Sequence, residues 1–358
     1  MFFEIKTSGA LPRAVAHWLN QLTSFVPRPT LNPSWAKSHS VVTQRFYKTA
    51  AMLSRRVCSR LLLSTGKAKR MTQDRFVVTS RTVPSVPMNA PTLYATGNSF
   101  QRKDNMMALE MLNMAFKDSD ETQQFLDIGC AGGDFTHDVL LQKCGPCRRL
   151  VGTDISEAMV EYARSNHANP KLFYEVLDIA GDMSPFIDEY GHFDRVYSFY
   201  CLHWVKDQKR ALANIASLMT PNGECLLVFC GKTVFYEVWR QFVQHDRWRR
   251  YKNAFEKFIP PSQYENDLRS YIEKLLAMAR LQPHTCEVLH NSWVFPTEQR
   301  LRDTLLPVLP TLGDMEQGEK NAIFEDLYTR VLAMCSSHPD GISMDSFLYV
   351  VHASKLVR

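Results

Sequence analysis

Five short apolar runs, at residues 125–129, 150–154, 172–178, 193–199 and 225–230, follow one another through the middle of the chain, separated by segments that suit helices. This alternation predicts a parallel, doubly wound sheet, because parallel neighbours need a long crossover and a helix usually supplies it. Ahead of the first run, residues 94–116 predict an amphipathic helix with Met106, Leu109, Met111, Leu112 and Met114 as its apolar surface. After Gly231 the alternation gives way to an aromatic-rich stretch ending near Pro261. A helix over 263–280 and strands over 286–295 and 346–353 are predicted beyond it.

The 358 residues are 45% apolar and 22% charged, which suits a globular chain and excludes collagen-like, coiled-coil and wholly disordered ones. No apolar run approaches the roughly 20 residues of a membrane-spanning helix, so no membrane span is expected. The formal charge of +5 hides a split. Residues 1–87 carry 14 Lys and Arg against Glu4 and Asp74, whereas the remainder carries 28 against 35 acids. So acidic a body offers no broad footprint for a phosphate backbone, and nucleic acid is not an expected partner. Nine scattered cysteines, an odd number, suit free thiols in a reducing compartment.

Residues 1–87, with 19 Ser or Thr, read as a disordered extension, a targeting leader, or sequence upstream of a natural start at Met88. One domain is predicted over 88–358. The expected location is cytoplasmic, or mitochondrial through import on the basic leader.

The first run leads into Phe125-Leu-Asp-Ile-Gly-Cys-Ala-Gly-Gly133. Glycines at the carboxyl end of a strand let the backbone pass close to a ligand, and the next helix presents free N–H groups there. Asp154 ends the second run, placed to accept from both ribose hydroxyls, which fits nicotinamide and adenosyl cofactors equally. Two further acids discriminate between them. Asp127 would oppose a pyrophosphate but welcome a cationic amino-acid group, and Asp178 can accept from an adenine amino group.

Together these residues resemble the class I S-adenosylmethionine-dependent methyltransferases. The segment Phe193-Asp-Arg-Val-Tyr-Ser-Phe-Tyr-Cys-Leu-His-Trp-Val205 narrows the resemblance to the juvenile hormone acid O-methyltransferases, as do Asn98-Ser-Phe-Gln-Arg-Lys-Asp104 and Asp154-Ile-Ser-Glu-Ala-Met159. The likeness implies a Rossmann-like, seven-stranded, mainly parallel sheet with a helical cap inserted at about 232–262. It implies S-adenosylmethionine as cofactor, with Asp127, Gly129, Cys130 and Gly133 at its methionine end, Asp154 and Ile155 at the ribose, Asp178 and Ile179 at the adenine, and Ser198 nearby. One departure is Ala131, where the family usually has glycine; the neighbouring Gly132 is expected to compensate.

The implied reaction methylates the carboxylate of a small lipophilic acid, a sesquiterpenoid such as farnesoic or juvenile hormone acid. A carboxylic acid with a pKa of about 4 to 5 is already ionised at neutral pH and needs no general base. It needs orientation and a dry site. By resemblance Gln101 and Trp204 form a neutral clamp through amide and indole N–H groups. His203 beside them is either a substrate contact or a buried residue holding the loop. Among the aromatics of 232–262, Tyr236, Trp239 and Trp248 are expected to line the substrate pocket. Other lipophilic acceptors, and a non-catalytic carrier of lipophilic acids, are the alternatives.

The Cys144-Gly-Pro-Cys147 motif follows a helix rather than starting one, which argues against redox chemistry and reads as a surface turn. No further cysteine or histidine spacing completes a metal site, so none is expected.

Overall fold

The computed structural model describes residues 91–310 and 316–356. The readings of residues 1–87, and of a domain start at Met88, lie outside them. Five strands run parallel: β1 (Gln124–Ile128), β2 (Arg149–Asp154), β3 (Leu172–Val176), β4 (Phe193–Phe199) and β5 (Met219–Thr233). Three more follow: β6 (Leu281–Phe295), the short β7 (Ser336–His338) and β8 (Gly341–Lys355). The sheet order is β3-β2-β1-β4-β5-β8-β6, with β7 paired to β8. The predicted seven strands are present and β7 is an eighth. β8 is antiparallel to both of its long neighbours, β5 and β6.

Every residue of β1 is buried, as befits a strand covered on both faces. The covering helices begin where the sequence places short polar caps. Ser156 caps α3 (Glu157–Asn166), Asp207 caps α5 (Gln208–Leu218), Thr233 caps α6 (Val234–Phe242) and Asp267 caps α8 (Leu268–Met278). Each side chain accepts from a backbone N–H in the helix's first turn, satisfying a donor that has no intrahelical partner.

The predicted front helix over 94–116 is in fact two, α1 (Pro91–Gly97) and α2 (Ser99–Leu112), ending in a 3-10 turn. The break falls at Asn98, whose side chain reaches Asp134 at 3.4 Å. At Gly97 a Cβ would lie 2.9 Å from the Asp303 carbonyl oxygen, so the glycine admits α9 (Glu298–Leu305) close against the break.

The Cys144–Cys147 turn is exposed only at Gly145 and Pro146. The turn lies at the surface as expected, but both of its cysteines are buried in the core beneath it. Apolar burial rather than exposure accounts for this pair. Among the described residues no helix is long and apolar enough to cross a membrane.

The strand order reverses between β1 and β4. Loops leaving the carboxyl ends of these two strands diverge, which opens a crevice at that point. Residues of α1, α2, α6 and α9 line the cavities there, and α7 (Lys252–Glu256) and α10 (Gln317–Met334) complete the helices that follow β5.

Candidate active site

The loop after β1 is shaped by its own backbone. Gly129 and Gly133 take φ of +77° and +81°, which glycine adopts without steric cost. A Cβ on Gly129 would run into the Cys201 side chain, and one on Gly133 would lie 2.8 Å from both Ala163 Cβ and the Tyr174 hydroxyl. The glycines therefore serve the close packing of the loop against its neighbours.

Ala131 also adopts a left-handed conformation, with φ +49°, which directs its N–H to Asp154 Oδ2 at 3.0 Å. Gly132 does not share that handedness. Ala131 bears the turn itself.

Asp127 is buried, and its Oδ2 accepts from Thr136 Oγ1 at 2.6 Å. Burial pushes its carboxyl up to about 7, opposed by the Thr136 hydrogen bond and helped by the nearby Asp154. Asp154 is raised as well, again by burial. Its Oδ1 accepts from the Ser156 N–H at 2.9 Å, and Ile155 sits half-buried beside it. Arg102, the base nearest the loop, is taken by Asp134 at 3.0 Å. Asp127, buried, and Asp154, half-buried, thus stand at the loop with hydrogen-bond donors but no cationic side-chain partner among the described residues. S-adenosylmethionine brings an ammonium and a sulfonium and no phosphate, so the donor set fits it and opposes a dinucleotide.

Asp127, Gly129 and Cys130 line the cleft at this loop, together with Tyr94, Asn98, Gln101, Arg102, Asn105, Asp134, Phe135, Thr136 and Phe199. Gly133 and Asp154 stand just outside that lining. Asp178 is exposed and accepts from the Ala180 N–H at 2.9 Å. The Ile179 side chain is in the core, and its carbonyl accepts from Asn214 at 2.7 Å. Ser198 is fully enclosed and donates to the Ile128 carbonyl at 3.0 Å, tying β4 to β1.

A second cavity adjoins the first, and Tyr94 and Gln101 line both. It holds about 540 Å³ of empty space, its open mouth included, within the range of small-molecule sites. Its walls include Phe100, Tyr200, His203, Trp204, Phe235, Tyr236 and Trp293, and among the described residues no Lys, Arg, Asp or Glu. Gln101 is buried and lines both cavities. The Trp204 indole N–H is buried and unpartnered. His203 accepts at Nδ1 from the Cys230 N–H at 3.4 Å, which puts its proton on Nε2. Burial lowers its pKa to about 3, so the ring is neutral.

Of the three expected pocket aromatics, only Tyr236 lines this cavity. Trp239 is packed against Phe235 and Phe255, at ring distances of 4.4 and 5.0 Å. Trp248 stacks on Phe242, and its indole N–H donates to Asp326 Oδ2 on α10 at 2.5 Å. Both rings lie in the core instead, Trp239 among neighbouring aromatics and Trp248 against Asp326 of α10. The cavity is walled further by Thr304, Leu305, Pro307 and Val308, at and just after the end of α9.

The sequence reading missed Asn98, Arg102 and Asn105. With Gln101 they recur at helical spacing as one polar face of α2, a pattern legible in the chain but overshadowed by its methionines. Outside the crevice, ligating atoms of His137, Asp138 and His167 lie within 4.8 Å of one another. Asp138 there already pairs with His137 at 2.8 Å and Arg102 at 3.6 Å.

Residues 126–227 match the family described as Methyltransferase domain. The chain is 32% identical over 250 residues to the juvenile hormone acid O-methyltransferase of Drosophila melanogaster, spanning 69% of this chain and 84% of that one. It is 35% identical over 189 residues to the protein of the same name from Bombyx mori, spanning 53% and 67%. The malonyl-[acyl-carrier protein] O-methyltransferase of Halalkalibacterium halodurans is 28% identical over 155 residues, spanning 42% and 55%. With two acids free of any cationic partner at a glycine loop and this extent of identity, the chain belongs to the juvenile hormone acid O-methyltransferase family and is a class I S-adenosylmethionine-dependent methyltransferase.

Proposed function

We propose that the protein methylates the carboxylate of a small lipophilic acid, a sesquiterpenoid acid of the farnesoic or juvenile hormone acid kind, giving its methyl ester. The observation that carries this reading is Gln101, a buried amide on the wall common to both cavities. Beside it, the acceptor cavity offers the unpartnered indole N–H of Trp204. When bound, S-adenosylmethionine supplies an electrophilic methyl on a sulfonium.

Asp127 holds the cofactor's ammonium and Asp154 its ribose, with Gly129, Cys130 and Gly133 forming the loop beneath the methionine end. Asp178 and Ile179 take the adenine edge. Gln101 and Trp204 donate to the acid's carboxylate, and His203, as the Nε2–H tautomer, adds a third neutral donor. A neutral clamp orients the anion without the ion pair that would stabilise it against reaction, and an apolar wall excludes water. No proton is removed, so none of these residues acts as a base. The helical segments after β5, joined by α9 and α10, form the cap, and Tyr236 and Phe235 meet the apolar tail. Together with the sheet they make up one catalytic domain.

Incubation of the full chain with S-adenosylmethionine and a panel of lipophilic carboxylic acids, read by mass spectrometry, tests this. Methyl ester of an isoprenoid acid is the expected product. Cofactor binding without any ester would overturn the carboxylate assignment.

A further inference from the structure

Both halves of the clamp converge on one buried carboxylate that touches neither cavity. Asp104 lies one turn beyond Gln101 on α2 and is buried. Its Oδ2 accepts three hydrogen bonds, from the Tyr200 hydroxyl at 2.5 Å, Asn291 Nδ2 at 2.8 Å and Trp293 Nε1 at 3.2 Å. These donors come from the turn after β4 and from β6. Tyr200 and Trp293 also form walls of the acceptor cavity.

Tyr200 is the more telling partner. It is one of three non-glycine residues with positive φ among the described residues, at +52°, and it starts the turn that carries His203 and Trp204. A bulky residue in the left-handed region is strained and persists only where its surroundings hold it. Its backbone N–H is held by the Val228 carbonyl at 2.7 Å and its hydroxyl by Asp104. Phe100, on the same turn of α2 as Gln101, packs on Trp293 at 4.5 Å and on Tyr200 at 5.9 Å.

We propose that Asp104 is a positioning residue for methyl transfer: through its own helix it places Gln101, and through Tyr200 it places Trp204, so that the separation of the two clamp donors is set by a single side chain. This rests on the clamp reading above. The required feature is the accepting oxygen at the meeting point of three donors, a geometric role that a neutral amide oxygen can fill.

The test compares Asp104→Ala, Asp104→Asn and Tyr200→Phe, each alone and in clamp-deficient backgrounds, at saturating cofactor. Alone, Asp104→Ala and Tyr200→Phe are expected to lower kcat by about tenfold or more while cofactor Kd stays within about threefold. Asp104→Asn, which keeps an oxygen in place, is expected to recover most of the activity. In a background lacking both donors, Gln101→Ala with Trp204→Phe, Asp104→Ala should lose less than about threefold further, and Tyr200→Phe the same in a Trp204→Phe background, because the groups they position are gone. Fully additive losses, or equal damage from Asp104→Asn and Asp104→Ala, would overturn the role. Tyr200→Phe removes only a hydroxyl and keeps the test decisive should Asp104→Ala fail to fold. Wild-type ester formation in the same assay tests the acid reading separately. If no ester forms, the Gln101 amide and Trp204 indole resonances in the two single variants carry the test, and unmoved resonances would overturn it.

Discussion

The backbone N–H of Ala131 reaches the Asp154 carboxylate at 3.0 Å because Ala131 itself takes a left-handed conformation, with φ +49°. The turn of the cofactor loop and the placement of the ribose acid are therefore one feature. An alanine in that region costs about 1–2 kcal/mol, while glycine forfeits roughly 0.5–1 kcal/mol of chain entropy on folding. Ala131→Gly is accordingly expected to change stability by no more than about 1 kcal/mol and to leave cofactor affinity nearly intact. The β-branched Ala131→Val should weaken both by more, as read by thermal melting and calorimetric titration.

Cofactor affinity should fall as pH drops below about 7. Without cofactor, Asp127 is held up to about 7 by burial, so at pH 6 most of the protein carries it neutral. A cationic ligand favours the ionised form, so binding expels a proton there. Calorimetry in buffers of different ionisation enthalpy will register that proton at pH 6 and none at pH 8.5. In Asp127→Asn the proton release disappears, and affinity is weak at every pH.

Asp127 and His203 push the stability of the cofactor-free protein in opposite directions. Asp127 has a folded value of about 7 against an ordinary 3.8, so the folded state holds the extra proton in that window. Its contribution is greatest below pH 3.8 and is lost as pH rises through about 7. His203 has a folded value of about 3 against an ordinary 6.5, so the unfolded state binds the extra proton. Its contribution is complete above pH 6.5 and is lost as pH falls toward 3. Replacing Asp127 with Asn should thus raise stability at pH 8 more than at pH 5, and denaturant melts at the two values will show it.

Turnover with both substrates saturating should be flat from about pH 6 to 9, since His203 is neutral throughout and the clamp donors do not titrate. A limb in kcat near the ordinary histidine value, absent from a His203→Asn variant, would instead identify His203 as a proton acceptor.

Gln101→Ala and Trp204→Phe should each lower kcat by about 10- to 1000-fold, the range expected when a reacting group loses its orientation. Cofactor Kd should move by less than about threefold in Trp204→Phe, which deletes only an indole N–H. Comparable loss of cofactor binding in both variants would remove them from the acceptor side.

The parallel half of the sheet was legible because apolar runs and capping residues recur locally, and Gln101 and Trp204 stood within recognisable motifs. Asp104, Tyr200 and Trp293 were not singled out, because their association spans 96 and 189 residues and no local pattern encodes it. Trp239 and Trp248 were misassigned for a related reason. Aromatic density shows that a segment buries its rings, but whether those rings meet ligand or protein depends on what distant segments pack against them, as Asp326 does against Trp248. The inward turn of Cys144 and Cys147 was equally invisible, since an exposed Gly-Pro tip says nothing of the side chains flanking it.

β8 lies between β5 and β6, and β6 has no other strand partner among the described residues. The two halves of the crevice therefore differ in when they can form as the chain emerges. Everything that shapes the cofactor loop, from β1 to β5, is in place once residue 233 has been made, whereas Asn291 and Trp293 cannot dock on Asp104 until a strand about 50 residues later has been inserted alongside β5. Until that insertion, a nascent protein can bury its glycine loop but has no walled chamber for a lipophilic guest, and the exposed edge of β5 is the surface most in need of a chaperone.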